Sequence, residues 1–178
     1  MSLHKIEVLE ADITMLKVEA IVNAANSTLL GGGGVDGAIH RSAGEKLYRE
    51  CLTLQGCATG QVKITSAYRL HAKHVIHAVG PVWHGGGAHE AELLEACYRN
   101  AMSIANDYRL RSIAFPSIST GVYRFPLEKA CGIAFDTVLD ALGEMAHIEK
   151  VIFCTYSASD FSKYQREFNL RKELAGQN

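Results

Sequence analysis

Four short segments constrain the fold most: residues 20–24, 74–79, 112–115 and 150–155 are apolar almost throughout. Such segments suit strands buried on both faces of a sheet, not half-exposed hairpins. Helical patterns separate them. Leu94, Cys97, Ala101, Ile104 and Tyr108 recur at spacings of three and four, as do Leu127, Cys131, Phe135, Val138, Leu142 and Met145. Each set makes one apolar stripe. The stripes predict helices from about residue 89 and from residue 126, where Pro126 suits a first helical turn. Alternation predicts further strands at 5–11 and 61–67, and shorter helices are expected over 35–43, 45–54 and 159–170. Strands alternating with helices predict an α/β domain whose largely parallel sheet is covered on both faces. With 178 residues and 48% hydrophobic content, the chain reads as one domain, 1–178. Its core is expected over about 3–170, with a tail over 171–178 that frays.

Charge and cysteine content exclude several classes. A formal net charge of −1 gives no electrostatic case for wholesale binding to nucleic acid or membrane. No apolar run approaches the roughly 18–20 residues of a membrane span. The first residues carry Lys5, Glu7, Glu10 and Asp12 in place of a signal peptide's apolar core. The five cysteines are odd in number and contain no C-x-x-C; Cys97, Cys131 and Cys154 fall inside apolar patterns. They read as small buried hydrophobes in a reducing, cytoplasmic setting. His84, His89, Cys51 and Cys57 lack structural zinc spacing, so no metal is expected.

Two loops carry the chemistry. Gly31, Gly32, Gly33 and Gly34 stand in a row after the strand that ends near Ala24, and before a helical pattern. Consecutive glycines fill no core and suit a backbone that comes very close to a ligand. The following helix N-terminus favours anions. Residues 32–37 formally match G-x-G-x-x-G, but residues 25–31 separate them from the strand, so the dinucleotide fingerprint is rejected. No Gly-Lys-Ser/Thr closes the run, which excludes a P-loop, and no G-x-S-x-G occurs. The second loop, 117–123, contains Ser119, Thr120 and Gly121 after another buried strand. Two anion-friendly loops at strand ends suit a diphosphate. Asp36 is out of place among them, because a carboxylate repels phosphate.

Together these motifs are recognisable: Asp12-Ile13-Thr14, residues 20–26, residues 31–40, Thr59-Gly60, Val75-Ile76-His77, Val79-Gly80-Pro81 and residues 116–123. In this order, from residue 10 to about 161, they resemble the macrodomain family, and more closely its MacroD-type hydrolase branch. The resemblance implies a three-layer α/β/α sandwich with a mixed, largely parallel sheet. It implies binding of ADP-ribose, removal of mono-ADP-ribose from acidic side chains, and deacetylation of O-acetyl-ADP-ribose, without a cofactor. The implied partners are ADP-ribose-containing small molecules or mono-ADP-ribosylated proteins, with nucleic acid only as ADP-ribosylated or poly(A)-like ligands.

Carried over by position, Asp12 accepts from the adenine amino group with Ile13 beside it; its alternative is to cap the next turn. Gly33, Gly34 and Val35 match the first phosphate loop, and Ser119, Thr120, Gly121, Val122 and Tyr123 the second. Tyr156 matches an aromatic on the adenine side; its alternative is packing. Asn26 and Asp36 match the catalytic pair, with Asn26 on the distal ribose and Asp36 orienting or deprotonating a water. Asn23 is expected to brace the loop. His40, four residues after Asp36, shares its helix face and is a candidate partner. His77 reads as a structural histidine. Arg124 departs from the family pattern and either clamps a phosphate or faces solvent. The rival class is a module that binds ADP-ribose without cleaving it; the presence of both Asn26 and Asp36 weighs against it.

Overall fold

The computed structural model describes residues 2–177. Six strands form one sheet: β1 (Ile6–Glu10), β2 (Ala20–Ala25), β3 (Val62–Ser66), β4 (His74–Val79), β5 (Ser112–Phe115) and β6 (Lys150–Thr155). Their order is β1-β6-β5-β2-β4-β3. All neighbours are parallel except β3, which runs antiparallel to β4 at the edge. The two edge strands, β1 and β3, are the ones whose sequences alternate, and the first three residues of β3 are half-buried where the interior strands are closed.

Five helices cover the sheet: α1 (Gly34–Ala43), α2 (Glu45–Thr53), α3 (Glu90–Asp107), α4 (Leu127–Glu144) and α5 (Ala158–Gly176). The period-two alternation of each interior strand feeds two separate cores. Val22, Ile76, Ile113, Phe115, Val151 and Phe153 face α3, α4 and α5. Ile21, Val75, Ala114, Ile152 and Cys154 face α1 and α2. Three layers result, as the family resemblance implies. On the larger side Phe135 is fully buried, 4.7 Å from the Phe153 ring and 5.9 Å from Phe168.

Local signals set the helix ends. Gly44, at φ 90°, ends α1 by donating its N–H to the His40 carbonyl, a left-handed turn that glycine adopts without strain. Ser157 caps α5, its hydroxyl accepting from the Asp160 N–H at 3.1 Å. The last helix was expected to stop near residue 170, yet residues 171–176, read as tail, continue it. Tertiary pairing accounts for this. Arg171 donates to Glu167 at 2.8 Å and to Asp136 of α4 at 2.6 Å, and its guanidinium lies 5.4 Å from the Phe135 ring centre. Pro126, expected inside the first turn of α4, precedes it as the cap residue.

The loop between β4 and α3 is held by one carboxylate. Glu90, almost fully buried, accepts backbone N–H bonds from His84 (2.9 Å), Gly86 (2.8 Å) and Ala88. The bond from His84 leads in holding its pKa at about 2, below the ordinary 4.5. A depressed folded-state pKa gives stability that is present above the unfolded value and lost as pH falls. Glu90→Gln replaces one accepting oxygen with a donor. Hydrogen exchange is expected to show faster exchange at His84, Gly86 and Ala88 in this variant at pH 7. The stabilities of variant and wild type are expected to converge between about pH 4.5 and 2.

Candidate functional site

The five parallel strands end at one edge of the sheet. Across it lie, in order, Asp12 after β1, Tyr156 after β6, the loop after β5, the loop after β2 and the loop after β4. The chain leaves β2 toward β4 and leaves β5 toward β6, so the crevice between β5 and β2 is a topological switch point, where ligands of open α/β sheets bind. The two loops singled out from the sequence flank it.

The first loop places Asn26 and Asp36 side by side. Asn26 is tied into its own turn: Oδ1 accepts from Thr28 N (3.1 Å) and Oγ1 (2.6 Å), and Nδ2 donates to the Gly31 carbonyl (3.0 Å). One amide hydrogen remains. Gly32 lies between the two side chains. A Cβ there would sit 3.4 Å from Asn26 Nδ2 and 3.2 Å from Asp36 Oδ2. Gly33 and Gly34 are exposed, and added Cβ atoms on them would meet nothing within 4 Å. The first N–H groups of α1 begin here and have no partners within the helix.

Asp36 is 4% exposed and sits in the first turn of α1. Its Oδ1 accepts from Asn23 Nδ2 at 2.9 Å and lies 3.5 Å from His40 Nε2. Its Oδ2 accepts no hydrogen bond among the described residues and faces Gly32. Burial raises the Asp36 pKa above the ordinary 3.8, while the Asn23 bond and His40 oppose the rise. The result is a carboxylate with one oxygen anchored inward and the other at the glycine loop.

A buried polar cluster supports that carboxylate, and the sequence reading did not assemble it. Asn23 on β2 also donates through Nδ2 to His77 Nδ1 on β4, at 3.1 Å; the two residues are register partners. His77 Nε2 lies 3.0 Å from Thr65 Oγ1 and 3.9 Å from Cys51 Sγ. An amide nitrogen only donates, so His77 Nδ1 accepts and its proton sits on Nε2, directed at Thr65. Burial pushes the His77 pKa down to about 3, with His40 adding to the shift. The ring is therefore neutral at pH 7. His40, Cys51 and His77 also bring three metal-ligating atoms within 4.8 Å of one another, a different set from the one considered in the sequence. The Nε2 proton of His77 works against a metal there, because coordination needs that lone pair.

The second loop differs from its expected form. Ser119 takes a left-handed φ of 67° and is buried, its hydroxyl against Gly80. Ser117 and Thr120 hydroxyls pair with each other at 2.7 Å, and Tyr164 O–H donates to Ser117 Oγ at 3.2 Å. The hydroxyls of Ser117, Ser119 and Thr120 are thus engaged or buried within the protein, and the loop is left with its backbone at the surface, at exposed Gly121 and Val122. Gly80 makes the room: a Cβ there would run into Ser119 Oγ and Ile118. Tyr123 is half-buried, and its carbonyl accepts from Trp83 N at 2.8 Å, which ties this loop to the one after β4.

Asp12 caps the 3-10 turn Ile13–Met15, its Oδ1 accepting from Thr14 N (3.0 Å) and Thr14 Oγ1 (2.7 Å). Capping uses one oxygen and leaves the other, so it does not compete with a ligand role. Ile13 is buried beneath it. Tyr156 is 85% exposed and so is not a core packing residue. Val35 is half-buried at the start of α1. Arg124 is exposed at a left-handed φ of 61°, without an ion pair among the described residues.

Comparison with known proteins agrees with this geometry. The family model described as Macro domain matches residues 22–134, more than half of the chain. A Macro domain-containing protein of Chlorobaculum tepidum is 59% identical over 161 residues, covering 90% of this chain and 94% of the relative. Human ADP-ribose glycohydrolase MACROD2 is 48% identical over 169 residues, covering 93% of this chain and 40% of that protein. A variant of the Oceanobacillus iheyensis macrodomain with ADPR superimposes with a TM-score of 0.90 at 41% identity, covering 94% of each chain. The Trypanosoma brucei macrodomain in complex with ADP-ribose gives 0.87 at 42% identity, covering 91% of this chain and 68% of the other. The chain belongs to the macrodomain family. Among the described residues, no helix is long and apolar enough to cross a membrane.

Proposed function

We propose that this macrodomain hydrolyses mono-ADP-ribose esters of aspartate and glutamate side chains, and deacetylates O-acetyl-ADP-ribose. The carrying observation is Asp36: one oxygen anchored by Asn23, the other directed at Gly32 beside Asn26 Nδ2. A base needs its free oxygen in hydrogen-bond reach of a water at the ligand. Asn26 holds the distal ribose, and Asp36 orients or deprotonates the water. Hydrolysis adds that water across the ester and leaves a carboxylate, ADP-ribose and a proton that passes to solvent. The backbone of Gly33, Gly34 and Val35, with that of Ser119, Thr120, Gly121, Val122 and Tyr123, holds the diphosphate. Asp12 accepts from the adenine amino group, with Ile13 and Tyr156 on the adenine side. The names of MACROD2 and of the ADP-ribose complexes support this reading. The reaction needs no metal or cofactor. Five free, buried cysteines suit a reducing, cytoplasmic setting.

The test is a time course in chelator with a glutamate-linked mono-ADP-ribosylated protein, its serine-linked counterpart and O-acetyl-ADP-ribose. Release from both esters and not from the serine ether is the expected result. If neither ester is cleaved while calorimetry still shows ADP-ribose binding, the domain is a reader.

A further inference from the structure

We propose that His77 is a positioning residue: its Nδ1 fixes the Asn23 amide so that Nδ2 faces Asp36 and presents that carboxylate to the glycine loop. The inference rests on the role proposed for Asp36.

Three observations carry it. Asn23 Nδ2 makes two bonds at once, to Asp36 Oδ1 (2.9 Å) and to His77 Nδ1 (3.1 Å). Both hydrogens of the amide are then used. Asn23 Oδ1, by contrast, is buried and has no hydrogen-bond partner among the described residues. A buried carbonyl without a donor is unfavourable, so this orientation persists only because the two Nδ2 bonds outweigh it. Finally, His77 and Thr65 complete the chain. With Nε2–H directed at Thr65 Oγ1 (3.0 Å), the ring is held in the tautomer that leaves Nδ1 free to accept. Rotated, the amide would set Oδ1 against the Asp36 carboxylate, two acceptors in contact. His77 therefore sets the sign of the dipole that Asp36 feels.

The titratable groups facing His77 are few. Asp36 and His40 come from α1, with the two imidazole rings 6.3 Å apart, and Cys51 comes from α2. Burial raises the Cys51 thiol to about 11, so it is neutral at working pH. His40 Nε2 lies 3.5 Å from Asp36 Oδ1 and makes no hydrogen bond among the described residues, so it does not reach Asn23.

Two measurements test the proposal without relying on turnover. Nitrogen-15 spectra of histidine-labelled wild-type protein are expected to show His77 neutral, protonated on Nε2, from pH 5 to 8. A proton on Nδ1, or a ring that titrates in this range, overturns the proposal. Carbon-13 titration of the Asp36 carboxyl is then compared between wild type and His77→Leu. The midpoint is expected to move to higher pH in the variant, because the amide no longer has to donate. On the glutamate-linked substrate, kcat of His77→Leu is expected to fall about tenfold with little change in ADP-ribose Kd. His77→Gln, whose carbonyl accepts from Asn23, is expected to recover part of both effects. A folded His77→Leu with an unchanged Asp36 titration overturns the proposal. Should that variant not fold, the wild-type spectra decide. Should Asp36 prove dispensable for turnover, its proposed role as base fails while the titration shift still reports on His77.

Discussion

Asp36→Ala is expected to lower kcat on a glutamate-linked substrate by about 10²–10³-fold, while the Kd for ADP-ribose changes by less than about threefold. The split follows from where the carboxylate points. Its Oδ1 is committed to Asn23 and its Oδ2 lies at Gly32, beside Asn26. Removing it takes away the proposed base and leaves in place the backbone proposed to hold the phosphates. A carboxylate in that loop also repels the ligand's own charge, so its loss need not weaken binding. The pH dependence has a definite sign. Burial raises the Asp36 pKa, and a raised folded-state pKa means that the carboxylate is destabilising once ionised. Stability from this group is present at low pH and declines as pH rises through the folded-state pKa. Activity runs the other way, because only the ionised form accepts a proton. Stability and turnover are therefore expected to oppose each other across that window, measured by thermal unfolding and initial rates at matched pH.

Gly37→Ala is expected to destabilise the protein by about 1–3 kcal/mol and to weaken ADP-ribose binding about tenfold or more. Helix propensity alone predicts the reverse sign, because alanine in a helix interior is favoured over glycine by about 0.8–1 kcal/mol. Sterics decide the matter. A Cβ on Gly37 would run into the Gly32 carbonyl oxygen and lie 3.0 Å from Arg41 Nη1. The arginine can swing away; the carbonyl belongs to the loop backbone and cannot move without moving the loop. Gly37 also donates its N–H to Gly33 O at 3.2 Å, which fixes the turn of backbone that carries Gly33 and Gly34. Thermal unfolding and calorimetry on one preparation check both halves. A stabilised variant with wild-type affinity would mean that the loop does not pack on α1 as described.

The parts of the fold that were legible are those set by local pattern. Interior strands show as apolar runs because both faces are covered, and β4, β5 and β6 match their expected bounds. The two long helices show as stripes. What was not legible depends on tertiary partners. Residues 171–176 look like a tail until Arg171 meets Asp136. At the site, the glycine run and Asp36 stand out because each is odd for its surroundings. The cluster of Asn23, Cys51, Thr65 and His77 does not, because its members come from β2, α2, β3 and β4, and no spacing joins them. A period-two reading of β2 and β4 puts Asn23 and His77 on the α1 side of the sheet, but only the strand register makes them partners. The direction of Ser119 was hidden too. It follows from a left-handed φ and from space left by Gly80, thirty-nine residues earlier in the chain.

The most direct test of Asp36 as the base is its own titration. The carbon-13 shift of its carboxyl and kcat on the glutamate-linked ester are measured over the same pH range in the same buffer. The expected result is that the acid limb of kcat has the same midpoint as the carboxyl, above the ordinary 3.8 of an aspartate. A kcat that stays constant while Asp36 takes up its proton would contradict the assignment.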